Sequence, residues 1–390
     1  MRNCGPLRTG DDWEGSHGVT KAAEQVQMTV SQFEPCVGED EIQEILDCVR
    51  TKWLTEGKKT EEFVERLKAY TGAKHLVLAP NGTLALFMAV AVAGLGPGDE
   101  VVVPDFTFVG SATSVVLAGA TPVFADVDPD TFNLDPDSLR RAIGPRTKAI
   151  MPVHIYGQSA DMDPILEVAR EHNLKIIEDA AQGIGVRYKG RHVGTIGDLG
   201  CFSFFADKTM TTGEGGAILT DNDAMGERLL YFRNQGRLHR GSFIHPQMGW
   251  NFRMTDLQCA LGLAQMRKLD WIIKRKSEIE EQYRKRLASV PEVKFPRIHT
   301  AGERVPFRIN LLVSDPQALC DYLDAAGVGV RRFFYPLHLQ PCFTDQNSRK
   351  LAGIRNSVHC FEHGISLPSS VNLNEAEIEY VCQKIGAFFR

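Results

Sequence analysis

Residues 75–127 decide the fold class, and they read HLVLAPNGTLALFMAVAVAGLGPGDEVVVPDFTFVGSATSVVLAGATPVFADV. Short apolar runs alternate here with longer apolar segments. The runs predict strands at 75–79, 100–103 and 121–127, and the segments predict helices at 83–93 and 111–118. Strands that are apolar throughout and alternate with helices are typical of a parallel sheet covered on both faces. The stretch therefore predicts an α/β fold.

The alternation continues towards the C-terminus and then changes. Further strands are predicted at 148–153, 174–177, 201–206, 217–220 and 308–313, and further helices after Asp161, from 255 to 289, at 316–326 and at 375–389. Asp161 can cap the helix that follows it. The change of pattern predicts three parts: a mobile polar tail at 1–27, a large domain at 28–265 and a smaller α+β domain at 266–390.

The composition narrows the class of function. The chain has 390 residues, a formal net charge of −5 and a hydrophobic fraction of 43%. These values predict a soluble globular enzyme or binding protein without a nucleic-acid or membrane partner. The N-terminus lacks the continuous apolar run of a signal peptide, so none is expected. Nine cysteines without a CxxC pair favour reduced thiols in the cytoplasm.

Ligands of open parallel sheets bind beyond the carboxyl ends of the strands, and three features collect there. Gly82 and Thr83 follow a strand and begin a helix, which suits either a phosphate cradle or a plain turn with Thr83 as cap. Glu178 and Asp179 end a buried strand, where a carboxylate needs a cation, donors or solvent. Lys208 follows an apolar strand and is either a partly desolvated nucleophile or a surface lysine.

In this order the features resemble the DegT/DnrJ/StrS-type sugar aminotransferases. The resemblance runs from about residue 30 to the C-terminus. It is carried by residues 81–83, 98–104, 152–158, 178–182, 203–216, 251–256 and 335–338. The family implies a fold-type I (aspartate aminotransferase-like) fold with pyridoxal 5′-phosphate as cofactor, held by the large domain.

The resemblance also implies roles for individual residues. Lys208 would bind the cofactor as a Schiff base and later carry a proton. Asp179 would pair with the pyridine nitrogen, because a protonated ring is the better electron sink. The remaining cofactor contacts would come from Gln182 on the phenolic oxygen, Phe108 on the ring face, and Gly82, Thr83 and Ser203 on the phosphate.

A homodimer with shared active sites is expected by the same analogy. Asn251 would reach the partner's phosphate site, with Arg253 close by. Thr55, His154, Tyr335 and His338 match positions that line the sugar pocket in relatives, although His338 could equally be a structural histidine that caps a turn.

Lys208 also separates two kinds of chemistry. Relatives that remove a sugar hydroxyl carry histidine at this position, so lysine favours amino transfer. The expected substrates are L-glutamate and a nucleotide-linked 4-keto-6-deoxy sugar. Residues 151–173 and 211–216 most resemble the GDP-perosamine synthase branch, which favours a GDP-linked sugar and a role in O-antigen biosynthesis for lipopolysaccharide. A UDP- or dTDP-linked sugar, a dehydratase and a non-catalytic regulatory protein are the alternatives.

No metal site is expected. Residues 359–363 match the H-x-x-E-H pattern of inverted zinc proteases, but Gly364 follows at once and short motifs of this kind often match by chance.

Overall fold

A computed structural model describes residues 28–237, 241 and 243–390. The predicted mobile tail, 1–27, lies outside these residues. The helices are α1 Glu39–Thr51, α2 Lys58–Thr71, α3 Gly82–Val92, α4 Gly110–Leu117, α5 Pro136–Ala142, α6 Met162–Glu171, α7 Asp223–Arg233, α8 Asp256–Arg267, α9 Leu269–Leu287, α10 Pro316–Ala325, α11 Asn356–His363 and α12 Glu375–Phe388. The strands are β1 His75–Ala79, β2 Glu100–Pro104, β3 Thr121–Ala125, β4 Thr147–Ile150, β5 Lys175–Asp179, β6 Arg187–Tyr188, β7 Arg191–His192, β8 Leu199–Ser203, β9 Gly216–Thr220, β10 Gly302–Glu303, β11 Ile309–Leu312, β12 Arg331–Arg332, β13 Arg349–Lys350 and β14 Gly364–Leu367.

The central sheet is mostly parallel. Its strand order is β1-β9-β8-β5-β4-β2-β3-β13, and every neighbouring pair from β8 to β13 runs parallel. Strands β1 and β9 are antiparallel to their neighbours. The carboxyl ends of β5 and β8 are therefore adjacent, and the residues that follow them meet at one edge of the sheet.

Each strand sends alternate side chains to opposite faces, and both faces are covered. In β1, Leu76 and Leu78 enter one apolar cluster, whereas Val77 and Ala79 enter another. This is the period of two that extended backbone imposes. Burial on both faces explains why these strands are apolar throughout, and it confirms the predicted α/β class.

A smaller antiparallel sheet, β11-β14-β12, lies in the C-terminal part of the chain. Val30 pairs with Val328 beside it and packs in the same apolar cluster as Ile309 and Ile365. The first described residues thus contact the C-terminal part. The division between residues 265 and 266 stays a prediction. Among the described residues, no helix is both long and apolar enough to cross a membrane.

Two local predictions and one omission need correction. Helix α5 was not predicted, although Asp135 and Pro136 are an ordinary helix start, with the Asp135 carboxylate accepting a bond from the Ser138 N–H at 2.9 Å. Asp161 occupies the N-cap position of α6 without capping it, because its Oδ1 accepts the Tyr188 hydroxyl at 2.7 Å. The strand predicted at 201–206 is β8, which ends at Ser203.

Candidate active site

Lys208 lies in a turn just after β8, with its N–H donating to the Phe205 carbonyl at 3.0 Å. Its side chain is 15% exposed, and Nζ lies 4.6 Å from the centroid of the Phe307 ring. Burial lowers the pKa of the ammonium, the carboxylates of Asp207 and Asp179 oppose that shift, and the Arg308 guanidinium adds to it. The net pKa is below the ordinary value of 10.5. A larger fraction of neutral, nucleophilic amine follows.

Asp179, the last residue of β5, presents a carboxylate at the same edge. Its Oδ2 accepts the Ser111 hydroxyl at 2.6 Å, and its Oδ1 accepts the Ala181 N–H at 3.1 Å. The Asp179 side chain is nearly buried. These two donors orient the carboxylate. Sequence reasoning missed Ser111, although a hydroxyl in the first turn of a predicted helix beside the site was a usable signal.

Gln182 lies three residues after Asp179 in the loop that follows β5. Its Oε1 accepts the Tyr156 N–H at 2.6 Å, which leaves Nε2 as the donor of this side chain. Tyr156 itself is buried with a φ of 53°, and its ring stacks on Phe334 at an interplanar angle of 7°. The irregular backbone at residue 156 therefore fixes the direction of the Gln182 amide.

Gly82 and Ser203 meet at the start of α3. A Cβ on Gly82 would lie 2.7 Å from the Ser203 Cβ, so only glycine allows this approach. Asn81, not Thr83, caps the helix, with Oδ1 accepting the Leu84 N–H at 2.9 Å. The first backbone bond of the helix comes from Ala85, and Asn81 takes the Leu84 N–H, so the N–H groups of Gly82 and Thr83 are the ones that point out of its N-terminus. This end suits an anion.

Gly110 links this anion site to the other side chains. A Cβ there would lie 2.9 Å from the Thr83 Oγ1 and 3.1 Å from the Phe108 Cδ1, so glycine keeps both in place. Phe108 is 56% exposed. The structure thus brings together five kinds of group: an anion site, an aromatic face, an amide donor, a carboxylate and a buried amine. The family resemblance assigns these groups to the phosphate, ring face, phenolic oxygen, pyridine nitrogen and aldehyde of pyridoxal 5′-phosphate. The individual contacts stay predictions.

Asn251 and Arg253 lie in a different group. The Arg253 guanidinium donates to the Asn251 Oδ1 at 2.9 Å and to the Asn234 Oδ1 at 3.3 Å. Within the described residues, neither side chain hydrogen-bonds to the residues around Lys208. Thr55 is exposed nearby, and its carbonyl accepts the Asp256 N–H at 3.2 Å. Glu56, Asn234 and Asp256 are among the residues that line a neighbouring cavity of about 830 Å³.

His154 is not placed where a sugar could reach it. Its ring is fully buried, Nε2 donates to the Glu178 Oε2 at 2.9 Å, and Nδ1 accepts the Ala160 N–H at 3.1 Å. Both nitrogens are used within the chain. This geometry does not support the predicted sugar contact and indicates a structural role.

His338 and Tyr335 lie on the C-terminal side of the site. The His338 ring bonds through Nδ1 to the Asp105 Oδ2 at 2.6 Å, and its N–H donates to the Asp105 Oδ1 at 2.7 Å. This double contact agrees with the structural alternative for His338. Tyr335 is 40% exposed and packs edge-on against Phe361. Its predicted contact with the sugar stays a prediction.

The H-x-x-E-H residues lie at the end of α11. The rings of His359 and His363 are 4.2 Å apart between centroids, and Nδ1 of His363 bonds to the His359 carbonyl at 3.0 Å. In the described part of the chain, no group of three or more potential ligands surrounds a metal position.

Glu178 is a fully buried carboxylate held by four donors. Besides His154, it accepts the N–H groups of Gly194, Ile196 and Gly197 at 2.6–2.7 Å. Burial alone would raise the pKa of this carboxyl, but the bonds from His154 and the backbone outweigh burial, and the net pKa is lowered. Strand alternation thus separates two adjacent acids: Glu178 enters the core and Asp179 faces the site.

We expect Glu178→Gln to destabilise the protein by about 3 kcal/mol at neutral pH, because its amide NH₂ would face backbone donors. The pKa of Glu178 in the folded protein is below the ordinary value of 4.5. The ionised Glu178 carboxylate therefore contributes its full stability above pH 4.5, and this contribution is lost as the pH falls through the folded-state pKa. The Tm difference from wild type should therefore shrink in acid. Calorimetry checks this, with the exposed Glu167→Gln as control. Equal melting of the Glu178 variant and wild type at pH 7 would contradict it.

Known proteins resemble this chain over nearly its whole length. The sequence model of the DegT/DnrJ/EryC1/StrS aminotransferase family matches residues 35–386. A GDP-perosamine synthase from Caulobacter vibrioides is 40% identical over 360 residues, covering 90% of this chain and 96% of that protein. A UDP-2-acetamido-2-deoxy-3-oxo-D-glucuronate aminotransferase from Pseudomonas aeruginosa is 35% identical over 328 residues, covering 84% and 89%.

A solved structure agrees with the fold. DesV from S. venezuelae, in complex with a ketimine intermediate, superposes with a TM-score of 0.85 at 31% identity and covers 90% of this chain and 94% of that one. The predicted fold-type I architecture and the predicted cofactor, pyridoxal 5′-phosphate, are confirmed. The chain belongs to the DegT/DnrJ/EryC1/StrS family of pyridoxal-phosphate-dependent aminotransferases.

Proposed function

We propose that this nucleotide-sugar aminotransferase moves the amino group of L-glutamate to GDP-4-keto-6-deoxymannose and so forms GDP-perosamine. The observation that carries amino transfer is Lys208, a largely buried amine with a lowered pKa at the edge shared by β5 and β8. The choice of sugar is supported by 40% identity to the Caulobacter GDP-perosamine synthase. A UDP-linked keto-sugar is the second candidate, supported by 35% identity to the Pseudomonas enzyme.

Pyridoxal 5′-phosphate, when bound, supplies an electron sink for the carbon that loses or gains the proton. Residues of the chain bind the cofactor and transfer the proton. Asp179 holds a proton at the ring nitrogen, and Ser111 and Ala181 keep its carboxylate in place. The N-terminus of α3 and the Ser203 hydroxyl bind the phosphate. The Lys208 amine accepts and returns the proton at the reacting carbon, and its burial limits access of water.

We further propose a homodimer in which Thr55, Asn251 and Arg253 complete the partner's site. Two features support this arrangement. Glu56, the neighbour of Thr55, and Asn234, which accepts a bond from Arg253, line a cavity of about 830 Å³. The side chains of Thr55, Asn251 and Arg253 make no hydrogen bond, within the described residues, to the group around Lys208. The eight free cysteines of the described residues support a cytoplasmic enzyme. Its product would serve surface-glycan assembly, with the O-antigen of lipopolysaccharide as the proposed setting.

The sugar proposal is tested with a panel of nucleotide-linked keto-sugars and L-glutamate. We expect kcat/KM for GDP-4-keto-6-deoxymannose to exceed that for the UDP- and dTDP-linked sugars by about 10²-fold or more, because unpaired polar groups penalise the wrong nucleotide. The measurement is product formation by mass spectrometry, with 2-oxoglutarate release as a parallel readout. Preference for a UDP- or dTDP-linked sugar would refute the GDP proposal and leave amino transfer intact.

A further inference from the structure

The two carboxylate oxygens of Asp207, the residue before Lys208, lie in different surroundings. Oδ2 pairs with the Arg308 Nη2 at 2.9 Å and lies 3.7 Å from the Arg331 Nη1. Oδ1 is buried, has no hydrogen-bond partner within the described residues, and lies 3.9 Å from the Lys208 Nζ. A buried carboxylate oxygen without a donor is costly. A charged lysine facing it would offset that cost.

Arg308 approaches the same place from another part of the chain. It precedes β11 and is only 8% exposed. Its guanidinium lies 5.1 Å from the centroid of the Phe307 ring, and the Lys208 Nζ lies 4.6 Å from the same centroid. The Phe307 backbone is held by a bond from its N–H to the Tyr156 carbonyl at 3.2 Å. Two cations therefore share one ring and one carboxylate in a fixed arrangement.

We propose that Asp207 and Arg308 form a positioning pair that sets the charge of Lys208, with Asp207 as its counter-ion and Arg308 as the cation that competes for that carboxylate. The pair acts through Lys208 and does not itself contact the cofactor. The proposal rests on the assignment of Lys208 as the catalytic lysine, and it is independent of which sugar is the substrate.

The two members of the pair have opposite effects. Without the Asp207 charge, the Lys208 ammonium loses an attractive partner and gives up its proton more easily. Without the Arg308 charge, Asp207 keeps only the more distant Arg331 as a competing cation and a like charge near Lys208 disappears, so the ammonium holds its proton more strongly. The pKa of Lys208 responds in these directions, raised by Asp207 and lowered by Arg308.

Other charged and titratable groups face the same space. They are Asp179 at the end of β5, Lys276 on α9, Arg331 on β12, and Glu34 and Cys36 before α1. The Asp179 carboxylate accepts the Ser111 hydroxyl at 2.6 Å, and Lys276 donates to the Phe307 carbonyl at 3.4 Å. Neither shares a hydrogen bond or an ion pair with Asp207 in the described part of the chain. Arg331 is farther from Asp207 than Arg308 is, and its side chain is half-exposed, so Arg308 is the main cation that competes with Lys208 for this carboxylate.

The test measures the protonation of Lys208 directly in the full-length protein freed of cofactor. Trace acetylation with acetic anhydride across a pH series, read at the Lys208 peptide by mass spectrometry, gives the midpoint of deprotonation. We expect Asp207→Asn to lower this midpoint by about 1 unit or more, and Arg308→Gln to raise it by a similar amount. Arg308→Lys keeps the positive charge and should restore a midpoint close to that of wild type.

A matched control is Arg332→Gln, because Arg332 lies beside Arg331 on β12 and donates instead to the Phe361 carbonyl at 2.7 Å. Its midpoint should equal that of wild type. A purely structural role for the pair predicts shifts in one common direction or none, and either result would overturn the proposal. Should Arg308→Gln fail to fold, Asp207→Asn decides alone: an unchanged or raised midpoint refutes the proposal. Failure of borohydride to fix the cofactor on Lys208 would instead refute the assignment of the catalytic lysine.

Discussion

Replacing Lys208 with alanine is expected to lower kcat for amino transfer on the order of 10⁴-fold, because the site loses the group that carries the proton at the reacting carbon. The neighbouring side chains leave no substitute in the same position. The ring of Phe307 lies against the Lys208 Nζ, and Asp207 is tied to Arg308. The measurement is single-turnover transfer from L-glutamate, followed by the release of 2-oxoglutarate.

Lys276 offers the matched control for this experiment. It is buried, it lines a small cavity that Lys208 also lines, and burial lowers the pKa of its ammonium to about 8. It resembles Lys208 chemically, but its Nζ donates to the Phe307 carbonyl. Lys276→Met should keep most of the parental rate. A Lys208→Ala enzyme that retained the parental rate, or a Lys276→Met enzyme that lost it, would contradict the assignment.

Asp179→Asn is expected to lower kcat by about 10²- to 10³-fold, because an amide of the same shape carries no charge to hold the proton on the pyridine nitrogen. The fold should change little. The Ala181 N–H can still donate to the remaining amide oxygen, and the Ser111 hydroxyl can accept a bond from the new NH₂ group. Measurement of kcat together with the dissociation constant of the cofactor separates chemistry from binding.

Ser111→Ala is the control for this second variant. It removes one donor to the Asp179 carboxylate and keeps the charge, so a loss of only about 10-fold is expected. An Asp179→Asn enzyme with kcat equal to that of Ser111→Ala would show that the charge of Asp179 has no part in the reaction.

The apolar periodicity of the chain predicted the sheet well because strands buried on both faces leave a clear local pattern. Strand β1 coincides with its predicted range, and the residues after β5 and β8 meet at one edge as a parallel sheet requires. Elements with little local pattern were missed. Strand β13 has two residues, and α5 has seven, so neither shows a period.

Contacts between distant parts of the chain could not be predicted from local pattern. Ser111 bonds to Asp179 across 68 residues, and Arg308 pairs with Asp207 across 101 residues. His154 shows a limit of motif matching. Its neighbours matched a family motif, and only the structure shows that Glu178 and the Ala160 N–H occupy both ring nitrogens. A motif identifies a residue type at a position, whereas burial and partners decide its role.

The central claim is that Lys208, and not the chemically similar Lys276, carries the cofactor. Borohydride reduction of the yellow holoenzyme, followed by proteolysis and mass spectrometry, locates the attached cofactor on a single peptide. We predict the pyridoxyl-phosphate group on Lys208 in wild type and on no peptide in Lys208→Ala. Attachment to Lys276, or to any other lysine in wild type, would contradict the account.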